Sequence, residues 1–181
     1  MPRPSVADVD EVDVAVDERI EIIERGRRLL RKERFAALAT HADGQSYATL
    51  VAFAASLDLR RLVFATMRAS RKFANLIAEP RVALLIDNRS NEETDLQEAI
   101  AITATGQATA VEGAERAVLQ ALLIERHPSL AGFVSSPGCA IVRVDVEAYH
   151  TVTRFQTVDE FHPGTGNGVG TAQDPAPADL S

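Results

Sequence analysis

The sequence predicts a mainly β chain, folded as a small six-stranded antiparallel barrel with helices packed on its ends. Two observations carry that expectation. First, about six apolar segments rich in β-branched and aromatic residues follow one another in hairpin-like succession, punctuated by turn residues. Second, only one helical run, the one opening at Ser70, directly joins two of these strands. A doubly wound parallel sheet would need a crossover helix between most of its strands, so the antiparallel barrel is the better match. A chain of 181 residues with 46% hydrophobic and 25% charged content is long enough to bury one sizeable core.

Taken in order, residues 1–16 combine proline with repeated Asp and Val and are expected to be a flexible arm. A first helix is predicted from Asp17 to Arg34, with Ile20, Ile23 and Leu30 near one face and Gly26 as a weak point. Phe35–Thr40 is the first strand. His41-Ala42-Asp43-Gly44-Gln45 supplies a turn, since Asp-Gly suits central turn positions that need positive φ. The return strand is Tyr47–Ser56, and after the turn at Leu57–Arg60 a third strand runs from Arg61 to Thr66. A helix from Ser70 to Glu79 leads into a fourth strand, Arg81–Asn88, whose Val82–Ile86 run predicts burial on both faces. A polar surface loop, Asn88–Gln97, precedes a long strand, Ala99–Val111, bent or bulged near Gly106. The amphipathic run Glu112–Arg126 is the third helix, ended by His127-Pro128, and Cys139–Gln156 is the last strand region. One domain is therefore expected over residues 17–161. Residues 162–181, rich in Gly, Pro and Ala, are read as a disordered tail. The GTGNGVG run there lacks the spacing, preceding strand and following helix of a dinucleotide loop.

Charge and cysteine usage narrow the function classes. A formal charge of −7 argues against nucleic acid or an anionic membrane as partner. The single cysteine, Cys139, cannot form an intrachain disulfide. No apolar run approaches the roughly 18 residues of a membrane span, and the acidic N-terminus has no secretory core. A cytoplasmic protein is the expectation.

Against that acidic background, residues 60–81 gather six basic side chains and one acid. Thr66, Arg68, Ser70, Arg71 and Lys72 stand where a strand feeds a helix. Ser70 is placed to cap that helix, whose N-terminal N–H groups and positive dipole end favour an anion, with Arg and Lys adding charge. The pattern fits a phosphate cradle. His41, His127, His150 and His162 are scattered without metal-ligand spacing, so no metal site is expected, and no nucleophile–base set or carboxylate pair stands out. A phosphate cradle without acid–base machinery points to a bound cofactor that carries the chemistry.

The succession Tyr47-Ala48-Thr49-Leu50-Val51, Leu62–Thr66, Ser70-Arg71-Lys72 and Glu79-Pro80-Arg81-Val82-Ala83-Leu84-Leu85 resembles the pyridoxamine 5′-phosphate oxidase-like, FMN-binding split-barrel proteins over roughly residues 18–160. The T-x-x-x-S-R-K segment ahead of an E-P-R-V strand is its most specific part. The resemblance implies a six-stranded split barrel and a homodimer holding FMN at its subunit interface. It also implies a small-molecule substrate or electron donor. Carried over by position, Thr66, Ser70, Arg71 and Lys72 match the phosphate side, while Thr49, Leu50, Val51 and Ala65 match the border of the flavin ring. Arg68 is added from its charge and position. The oxidase carries an Arg and a Lys on the second strand where this chain has Thr49 and Ala54. It also ends in a Trp- and Arg-containing segment, whereas this chain has no Trp. Oxidase activity on pyridoxamine phosphate is therefore not expected. An FMN-dependent oxidoreductase is the leading expectation. The alternatives are a haem-binding or haem-utilisation protein using His150 or His162, and a deazaflavin-binding or non-enzymatic flavin protein.

Overall fold

The computed structural model describes residues 20–153 and 157–163. A helix over residues 20–32, α1, is followed by β1 (Phe35–Ala42), β2 (Gln45–Ala55) and β3 (Arg61–Met67). Helix α2 (Arg71–Ala78) connects to β4 (Arg81–Asp87), and the short α3 (Asp95–Glu98) leads to β5 (Ile100–Val111). Then come α4 (Gly113–Arg126), a 3₁₀ turn (Pro128–Leu130), α5 (Ala131–Val134), β6 (Cys139–Thr153) and β7 (Thr157–Phe161). The arm at residues 1–16, the start of the predicted first helix and residues 164–181 of the predicted tail lie outside the described residues. So do residues 154–156, the end of the predicted last strand region.

The strand order β3-β2-β1-β4-β5-β6-β7, all antiparallel, closes through an additional β3–β6 pairing. Six strands thus form a barrel, as expected, and the β3–β6 pairing takes up the edge that β3 would present in an open sheet. The β1–β2 hairpin turns at Asp43 (φ 52°) and Gly44 (φ 73°), the conformation that Asp-Gly favours. β5 shifts register between Thr105 and Gly106 against β6. A Cβ on Gly106 would stand 2.2 Å from the Asp145 carbonyl oxygen, so the strands approach there as only glycine permits.

Alternation along the strands splits the side chains between two apolar clusters. The inner one fills the barrel with Leu38, Phe53, Phe64, Leu84, Ile102 and Tyr149 and is closed at one end by Leu29 and Leu30 of α1. The outer one sits between the barrel wall (Ala54, Val63, Ile141) and Leu119, Leu123 and Val134 of α4 and α5. Arg126 fastens α4 to α1 by donating to the Lys32 and Glu33 carbonyls, at 2.7 and 2.9 Å. β4 departs from expectation. Val82, Leu84 and Ile86 are buried, but Ala83 and Leu85 face outward and are only half-buried. β7, α3, the 3₁₀ turn and α5 were not legible as elements in the sequence.

Candidate functional site

The β2–β3 ladder is short. It pairs Phe53 with Phe64, Ala54 with Val63 and Ala55 with Leu62, and goes no further. Beyond Phe53, β2 stays with β1, through Ala48↔Ala39, Thr49↔Leu38, Leu50↔Ala37 and Val51↔Ala36. Beyond Phe64, β3 stays with β6, through Ala65↔Ile141 and Thr66↔Ala140. The barrel wall therefore splits between β2 and β3. Thr49, Leu50 and Val51 lie along one lip of the opening, and Ala65 and Thr66 along the other. Val51 and Thr66 are buried, Thr49 and Ala65 half-buried, and Leu50 is 67% exposed.

Helix α2 stands at this split. Ser70 is its N-cap, with extended backbone, and its Oγ accepts from the Phe73 N–H at 3.3 Å. The same Oγ shares a 2.9 Å hydrogen bond with Thr66 Oγ1, which ties the end of β3 to the helix start. The N–H groups of Arg71 and Lys72 fall in the first turn, where an α-helix offers no internal acceptor. Asn75, buried on the inner side of α2, donates to Thr40 Oγ1 at 3.0 Å and holds the helix on β1. No acidic side chain lies in the first turn, so nothing there offsets the positive helix end.

The three cations are held differently. The Arg71 guanidinium lies over the Tyr47 ring, 4.8 Å from its centroid, so an aromatic residue of β2 orients it across the split. Lys72 is half-buried on α2. Arg68 is stacked near Phe73 at 5.6 Å and ion-paired with Glu112 at the start of α4. Its charge thus already has a partner, which its sequence position alone did not reveal. Tyr47 and Glu112 are the two neighbours that sequence reading missed. Tyr47 stood inside the quoted motif, but the strand-to-helix stacking is a tertiary contact. Cys139 lies buried behind the site, and burial raises its thiol pKa, with the charges of Arg116 and Arg68 acting the other way.

The histidines fall into distinct settings. His41 is exposed beside the β1–β2 turn. His127 is buried, with Nε2 2.8 Å from the Phe53 carbonyl; that oxygen only accepts, so Nε2 carries the proton. His150 of β6 pairs directly with Glu160 of β7, its Nδ1 3.8 Å from the carboxylate. His162 donates from Nδ1 to the Glu147 carbonyl at 2.7 Å and turns Nε2 toward Glu160 at 3.2 Å. Among the described residues, no group of three or more His, Cys, Asp or Glu is arranged to hold a metal ion. None of their helices is long and apolar enough to cross a membrane.

The family profile described as pyridoxamine 5′-phosphate oxidase matches residues 22–153. The chain belongs to that family. Solved structures carry the same split-barrel fold at low identity. A haem-binding protein from Mycobacterium smegmatis superimposes with a TM-score of 0.70 at 20% identity, covering 90% of this chain and 60% of that one. HutZ, the haem storage protein from Vibrio cholerae, gives 0.61 at 18%, covering 68% and 89%. An FAD-binding protein from Mesorhizobium loti gives 0.60 at 17%, covering 71% and 90%. No curated protein sequence matches the chain.

Proposed function

We propose that the protein binds FMN at the split between β2 and β3 and acts as an FMN-dependent oxidoreductase on a small molecule. The observation that carries this is the β3–α2 corner. There a capped helix N-terminus, without acidic neighbours in its first turn, brings together Arg71, Lys72 and the Thr66–Ser70 hydroxyl pair. These residues fit a phosphate. The N–H groups of the first turn and the cations supply donors and charge, and Ser70 keeps the turn in shape. The lips of the split fit a flat ring, since Val51 and Ala65 are apolar and small and Thr49 offers one hydroxyl. Bound FMN would supply hydride or single-electron transfer. The chain's own residues then anchor its phosphate and shield its ring, and none of the proposed site residues is a carboxylic acid or histidine that would serve as proton donor.

A homodimer is part of the same proposal. The outward side chains of β1, β4 and the adjoining half of β2 include Ala37, Ala39, Leu50, Ala83 and Leu85, all half-buried or exposed. Such a face is a typical protein-contact surface, and it borders the lip carrying Thr49–Val51.

The test is flavin retention. Replacing Arg71 and Lys72 together with Ala should abolish FMN carry-through on desalting while leaving the thermal unfolding transition intact. A folded double variant that keeps its full flavin content would overturn the assignment. A haem reading is favoured by one observation: the Nδ1–H of His162 is held by a backbone carbonyl, as in many metal-ligating histidines, and haem iron would have to take Nε2 from Glu160. A Soret band on haem titration, lost in His162→Ala, would replace flavin by haem. Cofactor extraction separates FMN from a deazaflavin.

A further inference from the structure

Arg68 is held from two sides. Its guanidinium lies near the Phe73 ring, and its terminal nitrogen pairs with the carboxylate of Glu112, 44 residues further along the chain. Glu112 occupies the N-cap position of α4 but forms no side-chain hydrogen bond to that helix. Glu115, in the first turn of α4, is likewise engaged by Arg143 of β6. The acids placed to complement the positive end of α4 are thus both engaged by arginines outside the helix. The loop that carries Arg68 is fixed through its backbone, because Arg68 N–H donates to the Gly138 carbonyl at 2.9 Å and Ser70 N–H to the Met67 carbonyl at 3.0 Å. Only the Arg68 side chain needs to turn to change partner.

We propose that Glu112 is the resident counter-ion of the phosphate corner. It holds Arg68 until a phosphate-bearing ligand takes the guanidinium over, and its carboxylate then passes to the α4 N-terminus. This rests on the reading of the corner as a phosphate site. Three physical points favour the exchange. A phosphate presents more charge and more acceptor oxygens to the guanidinium fork than one carboxylate does. The pair is solvent-screened, with side-chain exposures of 41% and 64%, and so inexpensive to break. The released carboxylate is not stranded, because it sits at the positive end of a 14-residue helix. Glu112 is accordingly a positioning residue that sets ligand affinity by competition and links the corner to α4.

The experiment titrates the full chain with FMN and with riboflavin, which lacks the phosphate, following flavin fluorescence. Glu112→Gln keeps the shape and removes the charge. It should tighten FMN binding about two- to fivefold, the scale of an exposed ion pair, and leave riboflavin unchanged. In an Arg68→Gln background, the Glu112→Gln effect on FMN should vanish, because the competed-for group is gone. An unchanged FMN affinity in Glu112→Gln, an equal effect on riboflavin, or an effect persisting without Arg68 would each overturn the competition. A wild-type chain that prefers FMN over riboflavin while Glu112→Gln is neutral defeats this inference alone. A wild-type chain that binds FMN no better than riboflavin defeats the phosphate reading and this inference together.

Discussion

Ser70 caps a helix by accepting from the Phe73 N–H and binds back to Thr66, all through one hydroxyl. Arg71 next to it is steadied by Tyr47, so a strand on one lip of the split orients a cation of the helix on the other. The most exacting single residue is Gly106. Any side chain there must displace the Asp145 backbone, because a Cβ would lie 2.2 Å from its carbonyl oxygen. Gly106→Ala should cost about 1–3 kcal/mol of stability, the range for forcing a methyl into a packed region. Chemical denaturation with an unchanged m-value would measure it, and a neutral result would mean that the bulge relaxes freely. The histidines show how far residue identity alone carries. His127 is spent on the Phe53 carbonyl, whereas His162 and His150 both reach Glu160, and no sequence spacing separates those fates.

The segment between β4 and β5 has the composition of a polar loop but carries a compact turn built on one carboxylate. Asp95 accepts from the N–H groups of Ser90, Asn91 and Glu92 and from the Ser90 hydroxyl, with Asn91 at φ 69°. Those hydrogen bonds, the Ser90 N–H foremost, hold its pKa below the ordinary carboxylate value. A lowered pKa means that the ionised form is the one that folding favours. Its contribution is present at neutral pH and is lost as pH falls from about 4 through the lowered value. Amide exchange of Ser90–Glu92 should therefore show protection that falls away in that acidic window. Asp95→Asn should lack both the protection at neutral pH and the acid response; a pH-independent wild type would refute it. β7 escaped the sequence reading for a different reason. Its pairing with the far half of β6 and the stacking of Phe161 on Tyr149 at 4.8 Å are contacts that a Thr-Val-Asp-Glu-Phe run does not announce.

For the whole molecule, the proposed homodimer predicts an outcome of its own. The chain should run at twice 19.5 kDa by light scattering and stay so on dilution, and Leu50→Glu, on the exposed lip of the split, should weaken the dimer and flavin retention together. A stable monomer that keeps its flavin would rule the shared cleft out. Six strands, their hairpin order, the Asp-Gly turn, the Gly106 irregularity and the helix cap at Ser70 are all legible in the chain before it folds. Each of these is written in local patterns of periodicity, turn chemistry and capping, within reach of one or two elements. That β3 closes on β6, that the wall opens beyond Phe53 and Phe64, and that Arg68 belongs to Glu112 emerge only in the folded chain. Those outcomes depend on pairings between residues tens of positions apart, and the free energy of such contacts comes from packing that no single segment encodes.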